Sequence, residues 1–142
     1  MKILIFGLPG SGKTTLAKLL VPMFNAVWLN ADKVREEAND WDFTIEGRDR
    51  QANRMRLLSH QATSENRNLI ADFVCPTKWN RKEFDADYTI WMNTFKVGRY
   101  EDTNKIFEKP NKVDYHVTEW YDDTDVTLTN AIERHIRMNH NV

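Results

Sequence analysis

Residues 2 to 16 read Lys-Ile-Leu-Ile-Phe-Gly-Leu-Pro-Gly-Ser-Gly-Lys-Thr-Thr-Leu. The apolar run Ile3 to Phe6 predicts a buried parallel strand. Gly7 to Thr14 then fits the phosphate-binding pattern G-x-x-x-x-G-K-[ST] in full. From Thr14 the apolar spacing becomes helical, with Leu16, Leu19 and Leu20 on one face. Strand, glycine loop and helix thus follow in the order that phosphate binding needs. The glycines let the backbone close around an anion, and the positive end of the helix dipole faces it. The candidate phosphate-binding residues are Gly7, Leu8, Pro9, Gly10, Ser11, Gly12, Lys13, Thr14 and Thr15. Lys13 is expected to reach the β- and γ-phosphates of ATP, and the Thr14 hydroxyl to ligate Mg²⁺.

This junction predicts an α/β chain with a P-loop NTPase fold, helices on both faces of a mostly parallel five-stranded sheet. At 142 residues the chain suits one domain, 1–142, with a core that needs no staples. A net charge of −1 gives no general attraction to nucleic acid or membrane. The one cysteine, Cys75, excludes an internal disulfide and fits a reducing cytosol. No apolar run approaches the roughly 20 residues of a membrane span. The chain enters its first strand at once, which leaves no room for a signal peptide, so a cytoplasmic location is expected.

The first helix should end near Pro22. Ala26 to Leu29 reads as the second strand, and Asn30 to Arg35 follow its carboxyl end. Ligands bind at that edge of open α/β sheets, which makes Asp32 and Arg35 candidates by position. Asp32 is also a plausible N-cap ahead of Val34. A loop with two aromatics, 40 to 47, leads to a long helix from about Arg48 to Ser64. Ala52, Met55, Leu58 and Ala62 mark its core face, while Arg50, Asn53, Arg54 and Leu57 lie opposite. Asn68 to Val74 is the next strand, interrupted by Asp72, which either serves Mg²⁺ or bonds neighbouring backbone. Cys75 reads as a small packing residue. A short helix, Thr77 to Phe84, carries Lys78 and Arg81. Tyr88 to Met92 and Val113 to Thr118 are strands four and five. Between them, 93 to 110 is irregular and charged, with Arg99, Lys105 and Lys109, as lids over phosphates often are. Acids at 122 to 125 open a last helix that packs Val126, Ala131, Ile132 and Ile136. The four histidines show no metal-ligand spacing.

A guanine reader Asn-Lys-x-Asp is missing, since Asn104-Lys105-Ile106-Phe107 lacks the acid. Motor and transport ATPases usually need more chain. Basic residues after strands two and three, with a candidate lid, suit a small-molecule kinase. Here the chain resembles the adenylylsulfate kinases, which phosphorylate the ribose 3′-hydroxyl of adenosine 5′-phosphosulfate with ATP. Leu29 to Arg35 resembles the family's Leu-Asp-Gly-Asp-Asn-Val-Arg. Phe43-Thr44 resembles its Phe-Ser, and Asp49-Arg50, Asn53 and Arg56 its Asp-Arg-x-Glu-Asn-x-x-Arg. Phe73-Val74-Cys75-Pro76 resembles Phe-Ile-Ser-Pro, with Arg81 at a following arginine. The resemblance implies Asp32 near Mg²⁺ and the acceptor hydroxyl, Phe43 stacked on the substrate adenine, and Arg35, Arg50 and Asn53 holding the substrate, with Val74 and Cys75 beside it. Lys13 and Asp32 are then the catalytic pair; Thr14, Asp32 and Asp72 are the metal set, with Asp72 read from its place near the strand end and without a counterpart in that family.

The chain departs from that family at Asn30, where the first acid is replaced, at Ala52 and Cys75, and in a trimmed lid over Arg99 to Phe107. Phe107-Glu-Lys-Pro110 resembles the Tyr-Glu-x-Pro that follows the family's lid. Two alternatives remain. The kinase domain of polynucleotide kinases is similar in its Gly-x-Pro-Gly-Ser-Gly-Lys loop, although the acidic balance offers no evident strand-binding groove. A degenerate nucleotide-binding module acting as a sensor fits the trimmed lid. Oligomeric state, a homodimer included, is left open.

Overall fold

The computed structural model describes residues 1–94, 101–119 and 126–140. Arg99 and the acids at 122 to 125 lie outside the described residues. Five strands, β1 (Lys2–Phe6), β2 (Val27–Asn30), β3 (Leu69–Phe73), β4 (Tyr88–Met92) and β5 (Tyr115–Val117), form one sheet. Its order is β2-β3-β1-β4-β5, and every pairing is parallel. The helices are α1 (Lys13–Met23), α2 (Ala31–Ala38), α3 (Ile45–Ser64), α4 (Lys78–Phe84), α5 (Glu101–Ile106) and α6 (Val126–Asn139).

β1 is buried along its whole length because helices cover both faces of the sheet. Ile3 and Ile5 pack with Ile70 and Ile90 against Leu16, Leu20, Ile132 and Ile136 of α1 and α6. Leu4 and Phe6 point the other way, toward Val34 of α2, Ala52 and Met55 of α3, and Phe84 of α4. The alternation follows from the period of two along a strand. Strand order reverses at β1, which has β3 on one side and β4 on the other. The crevice at that reversal opens at the carboxyl ends of the strands, where the glycine loop leaves β1.

Several boundaries differ from the sequence reading. α1 continues one residue past Pro22, in its last turn. Asn30, not Asp32, caps α2: its side chain accepts from the Lys33 N–H at 3.1 Å. Asp32 sits in the first turn, where the dipole favours an acid. α3 begins three residues earlier than expected, because the Thr44 hydroxyl accepts from the Gly47 N–H at 3.2 Å and starts the helix at Ile45. In α6, Ile132 and Ile136 are buried with Thr129, whereas Val126 is exposed.

Gly47 holds the first turn of α3 against the preceding loop. A Cβ there would sit on the Asp42 carbonyl oxygen. Gly47→Ala must therefore displace the 40–44 loop. The expected cost is about 1–3 kcal/mol, as for other overpacked sites. Urea denaturation reads it directly, and an unchanged midpoint would contradict the close approach.

Candidate active site

The glycine loop is built by its own backbone. Gly12 takes the left-handed conformation (φ 98°) as N-cap of α1, and the Leu16 N–H bonds its carbonyl at 3.0 Å. Gly7 approaches β4 so closely that a Cβ would lie 2.5 Å from the Met92 carbonyl oxygen. The Thr94 hydroxyl donates to the Ser11 carbonyl at 2.9 Å and ties the loop to the segment after β4. Lys13 is buried, and its Nζ rests on the Leu8 carbonyl at 3.0 Å. Burial pushes its ammonium down to about 8, against the opposing pull of Asp72 and Asp32. A desolvated cation in a cradle of backbone dipoles is a receptor for an anion.

Thr14 opens toward the end of β3. Its hydroxyl donates to Asp72 Oδ1 at 3.0 Å. Asp72 is 2 % exposed, and burial raises its carboxyl against hydrogen bonds from Trp28, Thr14 and Asn30. The Trp28 indole N–H reaches Asp72 Oδ2 at 2.6 Å, and the Asn30 amide reaches Oδ1 at 3.2 Å. Among the described residues Asp72 thus bonds side chains from two neighbouring elements, β2 and α1. A hydroxyl and a carboxylate at hydrogen-bond distance, both hard oxygens, fit Mg²⁺, which takes one or two protein ligands and completes its shell with phosphates and water. Among the described residues no group of three or more His, Cys, Asp and Glu could hold a metal ion. Magnesium would supply charge neutralisation between β- and γ-phosphate oxygens.

One cavity of about 690 Å³ runs from this centre to α3. Pro9, Gly10, Lys13, Thr14 and Asp72 line one end, Arg35, Phe43, Val74 and Cys75 the other, and Asp32 lines the cavity as well. Gly7, Leu8, Ser11, Gly12 and Thr15 belong to the loop and first helical turn without lining that wall. Asp32 is exposed, and its charge acts on both Lys13 and Arg35, which puts it between the two ends. Cys75 is fully buried at the base, and burial raises its thiol far above the ordinary value, so it is an inert wall.

Two expected acceptor ligands are elsewhere. Arg50 is paired with Asp40 at 3.1 Å and Asp42 at 2.9 Å on the outer surface, and Asn53 is exposed and accepts from Arg56 at 2.8 Å. Neither lines the cavity. Arg48 and Gln51 do. Two residues along a helix is a turn of about 200°, so Arg50 necessarily points away from the face that carries Arg48. The spacing held the signal: Arg48 lies four residues before Ala52 and belongs to the same stripe as Met55. Asn30, which the sequence marks only as a departure from the family's acid, also lines the cavity, as do Trp41 and Thr103, to which the sequence assigns no role.

The Phe43 ring lies against two guanidinium groups, Arg35 at 4.4 Å and Arg48 at 5.5 Å. Arg35 donates to the Asp40 and Asp42 carbonyls at 2.9 and 3.1 Å, and Arg48 to the Phe43 carbonyl at 2.9 Å and the Thr103 hydroxyl at 2.8 Å. The Gln51 amide donates to the Ala31 carbonyl at 3.0 Å and locks α3 to α2. On the outside, Arg50 and Arg54 clasp Asp40, and Arg50 also holds Asp42. Arg54 is thereby bonded rather than freely solvated.

A family model described as an AAA domain matches residues 3–91. The chain belongs to this family. No curated protein matches it in sequence. Among solved structures, this AAA domain is similar to the Mycobacterium tuberculosis APS kinase CysC in complex with AMPPNP and APS, at 18% identity and TM-score 0.73, covering 96% of this chain and 97% of that one. It is similar to a hexameric APS kinase from Thiobacillus denitrificans at 17% identity and TM-score 0.74, covering 96% of this chain but 28% of that one. It is also similar to shikimate kinase from Aquifex aeolicus at 16% identity and TM-score 0.68, covering 98% of both. At these identities the likeness is one of fold. The fold is that of the P-loop kinases. No helix among the described residues is long and apolar enough to cross a membrane.

The clasp gives a pH expectation. Hydrogen bonds from Thr44, then from Arg50, lower the Asp42 carboxyl to about 2. Its folded value lies below the unfolded 3.8, so its contribution is complete above about pH 4 and is lost as pH falls through 2. Carboxyl ¹³C titration should give a midpoint near 2, whereas a midpoint near 4 would mean that the clasp is open.

Proposed function

We propose that the chain transfers the γ-phosphoryl group of ATP to the 3′-hydroxyl of adenosine 5′-phosphosulfate, giving 3′-phosphoadenosine 5′-phosphosulfate and ADP, in the cytoplasm. The observation that carries the acceptor is the Phe43 ring set against Arg35 and Arg48 in a cavity continuous with Lys13 and Asp32. An aromatic face suits a purine ring, and guanidinium forks suit the oxygens of a phosphate–sulfate anhydride better than an ammonium would. The resemblance of Leu29 to Arg35 and of Phe73 to Pro76 to the adenylylsulfate kinases supports the same acceptor. So does the fold likeness to a protein solved with APS.

Each residue then has a task. Lys13 leaves the Leu8 carbonyl for the phosphates and neutralises charge that grows on them. Thr14 and Asp72 would hold Mg²⁺. Asp32, between the two ends, accepts the proton of the attacking hydroxyl. Arg35, Arg48 and Phe43 place that hydroxyl, and Gln51 and Thr103 complete the wall.

The deciding assay is ADP release from ATP with adenosine 5′-phosphosulfate, AMP, shikimate or a 5′-hydroxyl oligonucleotide as acceptor. Turnover should be fastest with the first. Preference for the oligonucleotide would transfer the reading to a polynucleotide kinase, and release with none of them would favour a non-catalytic nucleotide sensor. With the preferred acceptor, Phe43→Ala and Arg48→Ala should raise its KM about tenfold while KM for ATP stays within twofold; the converse pattern would place these residues at the nucleotide.

Two further variants separate phosphate binding from proton transfer. Lys13→Ala should cost about a hundredfold or more in kcat with the fold intact. Asp32→Asn should lower kcat far more than it weakens ATP binding. If ATP affinity fell instead and kcat held, Asp32 would act as a ground-state ligand.

A further inference from the structure

Asp72 is held by more donors than a metal ligand requires, and one of them comes from an unexpected place. β2 is the edge strand of the sheet. Its register pairs Trp28 with Ile70 and Asn30 with Asp72, so all four side chains stand on one face. The Trp28 indole crosses diagonally to Asp72 Oδ2 at 2.6 Å, a reach open to an aromatic on the neighbouring strand. Trp28 is 37 % exposed. Water was therefore available to its N–H, and the inward bond is not forced by burial.

We infer that Trp28 is a positioning residue for the metal-binding carboxylate: its indole N–H holds Asp72 Oδ2 so that Oδ1 faces the Thr14 hydroxyl. The inference rests on the reading of Thr14 and Asp72 as the Mg²⁺ ligands. A carboxylate rotates freely about its last torsion unless its oxygens are separately held. Here Oδ2 takes the indole and Oδ1 takes Thr14 at 3.0 Å. The Asn30 amide spans both oxygens, at 3.2 and 3.4 Å. Asn30 is itself fixed, because its carbonyl oxygen caps α2 and so aims its NH₂ at β3. An acid at position 30 would set a second negative charge opposite Asp72, and the amide provides a donor instead. Outer partners of this kind orient metal ligands, and losing one typically costs 10–100-fold in metal affinity.

The test compares ADP binding by calorimetry, with and without Mg²⁺, for the whole chain and two variants. Trp28→Phe keeps an aromatic cover and removes the donor; Trp28→His restores a ring N–H on a smaller ring. In Trp28→Phe, ADP affinity without Mg²⁺ should stay within twofold of wild type. The gain on adding Mg²⁺ should shrink about tenfold or more, and Trp28→His should recover part of it. An undiminished gain in Trp28→Phe overturns the inference while leaving the metal reading in place. Equal losses with and without Mg²⁺, or Phe and His variants that behave alike, also overturn it, since Trp28 would then only pack. If wild type itself gains nothing from Mg²⁺, the metal reading fails and the inference falls with it.

Discussion

The hydrogen bond from the Thr14 hydroxyl to the Asp72 carboxylate joins the first turn of α1 to the end of β3, and the site depends on that junction. A buried carboxylate is costly unless every oxygen is engaged. That requirement constrains four elements together. β1 and β3 must pair in the register that sets Ile5 beside Asp72, or the acid misses the glycine loop. β2 must follow on the far side so that Trp28 and Asn30 can reach it. α2 must start at Asn30, because the cap that starts it also orients the amide. Phosphate loop, candidate metal ligands and Asp32 are thereby placed by one sheet edge.

The Phe43 end of the cavity follows a different rule, set by how guanidinium groups are satisfied. Arg35 and Arg48 are buried and donate to carbonyl and hydroxyl oxygens of the loop and α5. Exposed Arg50 and half-buried Arg54 face Asp40 and Asp42 and tie down the loop.

A third arginine braces the roof. Arg81 lies over Phe6 at 4.7 Å and Phe107 at 5.5 Å and donates to the Cys75 carbonyl at 3.1 Å. The Glu108 N–H bonds the Pro76 carbonyl at 2.7 Å, and Phe107 stacks near Phe6 and Trp91. The segment after α5 is therefore docked on the β3–α4 connection, and Thr103 reaches Arg48 from above. The stretch that resembles the residues following the family's lid packs through Phe107 on Phe6 and Trp91.

Local patterns in the chain carry the phosphate loop, the five strands, the candidate acids and the core stripe of α3, because each depends on residues within one or two turns of one another. Glycine spacing, a strand's apolar run and a helical period need no distant partner. By itself the sequence thus determined the parallel α/β fold and the end of the sheet at which a ligand would bind. Which side chains meet there was decided by tertiary structure. The Thr44 cap started α3 at Ile45 rather than Arg48, and the docking of α3 on α2 through Gln51 fixed which face looks inward. The resemblance pointed to Arg50 and Asn53, but a displacement of two residues turns a helix by about 200°, so the cavity received Arg48 and Gln51. The same holds for Trp28: an indole on an edge strand reads as packing until the register brings a carboxylate across from it.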